Sequence, residues 1–350
     1  MMISPASVFV AMCMVSEGAQ NTTKSEILRA LQFEDSNDVC KEAKRLVTFI
    51  QGESQSKFEL SLSNGVFLNK RIRILKKFQN KLMRKYSATV ENVGFGTEAG
   101  EKIVNDWISD ETNGKITDLI KDTDEQLTVM IIVNAIYMNG SWKECFAKSR
   151  SERGLFFSRL AGEKNVTFMN RRVDTKLAFA QARNQKKFTA AFLKYQADDW
   201  MMSIILPADR GNPADYLEPV SDEIFQIYHR SSEVYTDLWI PKFKVETSID
   251  IMPLLKDLGI KQAFDPSANF FGASKEPTFI SKARQKSYLE VSEEGTEAAA
   301  ATYSTEIRMS SMKIESLRTR VIVDSPFLVS IINTKTKLIL FAGVVWDPSV

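Results

Sequence analysis

Histidine is the scarcest chemistry-bearing residue in this chain: His229 is alone in 350 residues. A Ser-His-Asp or Cys-His enzyme would have to use it, and no nucleophile motif such as GxSxG accompanies it. In Ile227-Tyr-His-Arg-Ser231 it reads as a surface residue, not a catalyst. Cysteine is nearly as rare. Cys13, Cys40 and Cys145 cannot all pair, none is spaced as CxxC and none sits beside the histidine, which argues against a disulfide framework or a metal site and leaves free thiols. No apolar run reaches the ~20 residues that a membrane-spanning helix needs. An excess of one charge is missing too: 46 Lys plus Arg against 44 Asp plus Glu give +2, too balanced to imply a nucleic-acid or membrane partner. The 15 Gly and 10 Pro are scattered, with no Ser/Gly/Pro-rich linker and no internal repeat, so residues 1–350 read as one large domain.

What is present is ordinary globular chemistry, 44% hydrophobic and 26% charged. Ala6 to Val15 is apolar and could pass for the core of a signal peptide, but no Lys or Arg precedes it. Asn21-Thr22-Thr23 is both a glycosylation sequon and an expected N-cap of a helix through Leu31, capping being the preferred reading. Helical spacing recurs over about Asp38 to Ile50, Lys70 to Lys85 and Glu98 to Ile108, the last ended by Asn113-Gly114. Lys70 to Lys85 interleaves eight basic residues with apolar ones; a solvated amphipathic face is the plain reading and a weak polyanion contact, such as glycosaminoglycan, the alternative. Phe58 to Leu68 alternates as a strand. Leu127 to Met138 is almost continuously apolar and rich in β-branching, the mark of a strand covered on both faces and the expected middle of the main sheet. Within it Asn134 is a buried amide that must find partners. Further strands are expected at Lys176–Ala182, Trp200–Leu206, Asp237–Glu246, Tyr288–Val291, Phe327–Ile332 and Leu338–Val345, with a helix near Ile249 to Leu258. Helices first and strands later predict an α+β fold with mixed sheets.

One stretch stands apart. Tyr288 to Ser292 has the period-2 pattern of a half-buried strand, and then the side chains shrink: from Gly295 to Thr302 only Glu297 is not small. If extended, Thr296, Ala298, Ala300 and Thr302 share one face and Glu297 falls on the other, so one face could be buried without burying a charge. Read locally, Ala298, Ala299, Ala300 and Ala301 behind Thr296 as N-cap and Glu297 in the first turn form a short helix. The strand running into the stretch and the cleavable-looking Arg308-Met309-Ser310 beyond it favour instead an exposed, mobile loop able to add itself to a sheet.

That combination resembles the serpin family. So do Ser4-Pro5-Ala6-Ser7, Ile103-Val-Asn-Asp-Trp107 with Thr112-Asn-Gly-Lys-Ile116, and Val133-Asn-Ala-Ile-Tyr137 with Gly140-Ser-Trp142 and Phe146. Val323-Asp-Ser-Pro-Phe-Leu328, Ile339-Leu-Phe-Ala-Gly343 and Asp347-Pro348 complete the set in order. The resemblance implies a serpin-like fold of three mixed β-sheets with surrounding helices and a reactive loop at about 293–319. It implies a monomeric inhibitor, not an enzyme, working without cofactor or metal: a target serine protease, or a cysteine protease, attacks the loop, and the cut loop inserts into the main sheet and traps the enzyme. The hinge is then Glu293, Gly295, Thr296, Glu297, Ala298, Ala299, Ala300, Ala301 and Thr302. Counting from Glu293, the family's spacing places the bait bond at Met309-Ser310, suiting chymotrypsin- or elastase-like enzymes; a loop one residue shorter places it after Arg308, suiting trypsin-like ones. Ser4, Ser7, Asn134 and Gln285 form the polar cluster that gates sheet opening, Gln285 standing where many serpins have histidine. A non-inhibitory chaperone or ligand carrier is the alternative function. The resemblance implies an N-terminally shortened, extracellular protein, whereas unpaired cysteines and the lack of a clear signal peptide imply a cytoplasmic one.

Overall fold

Serine and proline begin the organising helix. Ser4 is its N-cap, Oγ accepting from the Ser7 amide at 3.3 Å, and Pro5 occupies the first turn, where its missing N–H costs nothing. The computed structural model describes residues 1–53, 58–159, 162–182, 184–217, 223–296 and 319–349. In chain order these form β1 (Met2–Ile3), α1 (Pro5–Gly18), α2 (Asn21–Ala30), α3 (Ser36–Gly52) and β2 (Phe58–Asn69). Next come α4 (Lys76–Tyr86), β3 (Thr89–Val93), α5 (Glu98–Glu111), β4 (Met130–Ser141), β5 (Glu152–Ser158), β6 (Gly162–Gln181) and β7 (Lys187–Lys194). β8 (Trp200–Pro207), α6 (Ile224–Arg230), β9 (Ser232–Pro241), β10 (Phe243–Asp250), α7 (Met252–Asp257) and β11 (Ile280–Val291) follow. The chain closes with β12 (Gly295–Thr296), β13 (Thr319–Ile322), β14 (Phe327–Asn333) and β15 (Leu338–Val345).

The mixed-sheet α+β architecture is as the sequence implies. A six-stranded sheet runs β10-β11-β12-β4-β2-β3, with β4, every residue from Met130 to Met138 buried, near its middle. The other strands join in a nine-stranded array folded about β6: its first part pairs β5, its middle pairs β9, which carries β13, and its last part pairs β7. Two of the three expected sheets therefore share one long strand. α1 lies between the layers, buried along nearly its whole length. α5 covers the outer face of the six-stranded sheet, where Val104 and Ile108 join Phe67, Ile131, Val133 and Tyr288 in one apolar cluster.

Several local expectations are corrected. The helix expected over Lys70–Lys85 begins only at Lys76, because the preceding residues turn and Ile74 bridges to Ser274. Asn21 does not cap α2: Gln20 holds that place without a side-chain bond, and Asn21 itself has φ +49°. The strand Asp237–Glu246 is two strands, since β9 ends at Pro241, which has no N–H to continue a ladder. β5 and β7 were not expected at all.

Candidate functional site at the seam of the main sheet

The six-stranded sheet contains a seam. β11 pairs β4 in parallel from Ile280↔Met130 to Tyr288↔Tyr137, and at the upper end of this pairing β12 is wedged between them, antiparallel to both: Thr296 stands opposite Val291 of β11 and Gly140 of β4. Two features of the seam involve the residues singled out from sequence.

The first lies under the N-terminus of α1. Register sets Gln285, Asn134 and Asn64 side by side on β11, β4 and β2. Gln285 Oε1 accepts from the Ser4 amide (3.0 Å), and its Nε2 donates toward Ser4 O (3.0 Å), Ser7 Oγ (2.6 Å) and Asn134 Oδ1 (3.0 Å). Ser7 Oγ also donates to Asn134 Oδ1, and Asn134 Nδ2 reaches Ser7 O and Asn64 Oδ1 (2.7 Å). Ser4, Ser7, Asn134 and Gln285 are completely buried, so the structure brings all four together. Asn64 is the member that sequence reasoning missed. Its signal was the one used for Asn134, an amide inside an apolar strand.

The second is the hinge. Glu293, Glu294, Gly295 and Thr296 were expected in an exposed loop; instead all four are buried. The segment after β4 receives them. Trp142 N donates to Glu294 O (3.0 Å), Trp142 Nε1 to Ser292 O (2.9 Å) and Phe146 N to Glu293 O (2.8 Å). Glu293 is matched by Ser151 Oγ (2.7 Å) and Lys242 Nζ (2.9 Å), whereas Glu294 is matched only at Oε1, by Lys148 Nζ (2.6 Å), its buried Oε2 having no hydrogen-bond partner among the described residues. Burial alone would raise the Glu293 pKa, but the Ser151 and Lys242 contacts outweigh it and hold the carboxyl below the usual glutamate range. Thr296 Oγ1 meets the Tyr195 hydroxyl at 2.7 Å, and burial pushes that phenol's pKa up. The Tyr195 ring stacks on Trp142 (centroids 4.7 Å apart, 18° between planes) and meets Phe58 edge-on. Gly295 fits only as glycine: a Cβ there would lie 2.0 Å from Gly140 O. Nothing local in the sequence marks Tyr195, Lys242, Lys148 or Ser151; the fold alone brings them to the hinge.

Glu297, Ala298, Ala299, Ala300, Ala301, Thr302, Arg308, Met309 and Ser310 lie outside the described residues. His229 is exposed near the end of α6, and no disulfide joins Cys13, Cys40 and Cys145 among the described residues. The basic stretch is divided. Lys81 and Lys85 turn inward to the buried carboxylate of Glu17, while Lys70, Arg71, Arg73 and Lys76 line an open surface groove with Gln79, Glu91 and Asn92.

The chain matches the family model described as Serpin (serine protease inhibitor) over residues 1–348. It is 32% identical to human Serpin B8 over 348 residues, covering 97% of this chain and 91% of that protein. With human neuroserpin the identity is 30% over 360 residues, covering 99% and 86%. Among solved structures it is similar to native protease nexin-1 with heparin, with a TM-score of 0.87, 25% identity and coverage of 99% of this chain and 92% of that one. It is equally similar to thyroxine-binding globulin in complex with thyroxine, with a TM-score of 0.88, the same identity and the same coverage.

Proposed function

The chain belongs to the serpin family, and from that premise we propose that it is a suicide-substrate inhibitor of serine proteases rather than an enzyme. The observation that carries this reading is β12, a two-residue strand already seated in the seam with the Thr296 side chain fully buried. Continued in the proposed inserted state, this antiparallel register would set Ala298 between Met138 and Leu289, Ala300 between Ile136 and Ser287, and Thr302 between Asn134 and Gln285. The inward row then meets apolar side chains first and ends on the buried polar cluster, where a hydroxyl has partners. No inward position carries a charge, which would cost several kcal/mol to bury.

In this mechanism the protease serine attacks the carbonyl carbon of Met309, or of Arg308 for a trypsin-like enzyme. The peptide bond breaks, the new amino terminus departs, and an ester links enzyme to loop. The freed segment zips into the seam from Thr296 downward and exchanges one parallel ladder for two antiparallel ones. The attached protease is carried away from its docking position before water completes the reaction. The hinge is built for speed here, whereas a charged or bulky inward residue would leave time for deacylation.

The test loads the path beyond the existing seat. Ala300→Arg should be cleaved by trypsin, chymotrypsin or elastase as fast as the wild type, yet leave no covalent complex on a denaturing gel. Covalent complexes at the wild-type yield would remove insertion as the working step. A non-inhibitory carrier on the same fold, as the likeness to a thyroxine-binding protein suggests, instead predicts no complex from the wild type either. The groove of Lys70, Arg71, Arg73 and Lys76 supports, within the same proposal, a weak contact with a sulfated polyanion.

A further inference from the structure

Of everything buried around the seam, Tyr195 is the side chain whose role is least explained by packing. It is fully buried, and a buried hydroxyl needs a partner. A phenylalanine would fill the same volume between Trp142 and Phe58 with no hydroxyl of its own to satisfy. The hydroxyl's hydrogen bond goes to Thr296 Oγ1, and Thr296, itself fully buried, bonds through its side chain to Tyr195. Each group thus covers the other's desolvation. The pair also ties together three parts distant in sequence: Tyr195, just after β7, the hinge strand β12, and Trp142, which stacks on Tyr195 while its own indole holds Ser292 O.

We propose that Tyr195 is a positioning residue that selects a β-hydroxyl at position 296 and thereby holds the hinge seated in the uncut molecule, so that insertion starts from a strand nucleus already formed. The inference rests on the inhibitory reading for its consequence, but the seat is a property of the free protein. Starting a strand is the slow part of adding one, because the first residues are ordered before any ladder rewards them. A protein in which only a fraction of molecules is seated inserts at a rate reduced by that fraction. Removing either hydroxyl orphans the other inside the protein and drives the hinge out. Removing both leaves a matched apolar pair, and the seat returns.

The experiment is a double-mutant cycle of Tyr195→Phe, Thr296→Val and the two combined, chosen because each change keeps volume and shape. Hydrogen exchange of peptides spanning Ser292–Thr296 in the uncut protein reads the seat directly. Each single variant should lose protection, by about fivefold or more for an orphaned buried hydroxyl, and the double variant should regain most of it. Trapping of trypsin, chymotrypsin and elastase reads the consequence. The single variants should be cut at least as fast as the wild type but need several times more inhibitor per enzyme captured, with recovery in the double variant. Single variants with wild-type protection, or a double variant no better than the worse single one, would overturn the inference. So would a coupled loss of protection with unchanged capture. Should the wild type capture no protease at all, the inhibitory reading fails, while the exchange cycle still decides whether Tyr195 sets the hinge.

Discussion

Glu293 and Gln285 sit in the same strand–hinge segment and answer acid differently. The Glu293 carboxylate is buried, yet Ser151 and Lys242 keep its pKa below the ordinary value of 4.5. A carboxyl whose folded pKa is depressed contributes stability that is complete above its unfolded pKa and is lost as pH falls through the folded one. The hinge should therefore loosen only below about pH 4.5. Following exchange protection over residues 292–296 from pH 7 to pH 3 checks this, and Glu293→Gln should remove the pH dependence of that step. Gln285 is an amide with no proton to gain in the range between, so the polar cluster beneath the seam should show no transition near pH 6. Of this cluster only Asn134 was legible for a physical reason, as an amide in an apolar strand; Ser4, Ser7 and Gln285 were grouped with it by the family resemblance. Tyr195 was not legible, because a tyrosine among apolar residues says nothing about which hydroxyl it will meet 101 positions away.

At the scale of elements, β12 owes its place to two glycines. Gly295, with φ +153°, lets the chain run so close to β4 that a Cβ there would lie 2.0 Å from Gly140 O, and a Cβ on Gly140 would itself press against Phe58 and Tyr195. Gly295→Ala should unseat β12 at a cost of about 1–3 kcal/mol, the usual range for forced overpacking. The measurable result is lost exchange protection at 292–296 with β4 and β11 unaffected; if protection survives, the close approach is not what holds the strand. The elements themselves were readable where their period was strong and their partners local. β4 announced itself by continuous β-branched residues, and α5 by Val104 and Ile108 with Asn113-Gly114 behind it, both at positive φ. The hinge strand was read as an exposed loop because Thr296 is paired by Gly140 and Val291, and nothing in Gly-Thr-Glu-Ala records that pairing. β9 and β10 merged into one expected strand because the pattern continues across Pro241, while the chain moves from one sheet to the other there.

The whole molecule is laid out around a parallel contact that an additional strand would replace. β11 and β4 are held in parallel over most of their length, and the segment proposed to separate them is long enough to reach the Gln285–Asn134 row. If that segment enters after cleavage, the gain is a set of backbone bonds, each worth about 1 kcal/mol net, along two new ladders. In a chain of this size each kcal/mol shifts the melting temperature by only about 1.4 °C, so a gain of several kcal/mol raises it by about 5–8 °C. Calorimetry of the uncut protein against the same protein nicked in the loop checks this directly; equal melting temperatures would remove the energy source that the proposed mechanism needs.

In the proposed mechanism the wedge formed by Gly295 and Thr296 also sets how the protein would be used. A strand that zips downhill between β11 and β4 has no route back out, so a molecule that fires once is finished, whether or not it caught its enzyme. Control of such a protein lies in supply and demand, in how much is made against how much protease appears, and its potency is a titre, not a dissociation constant.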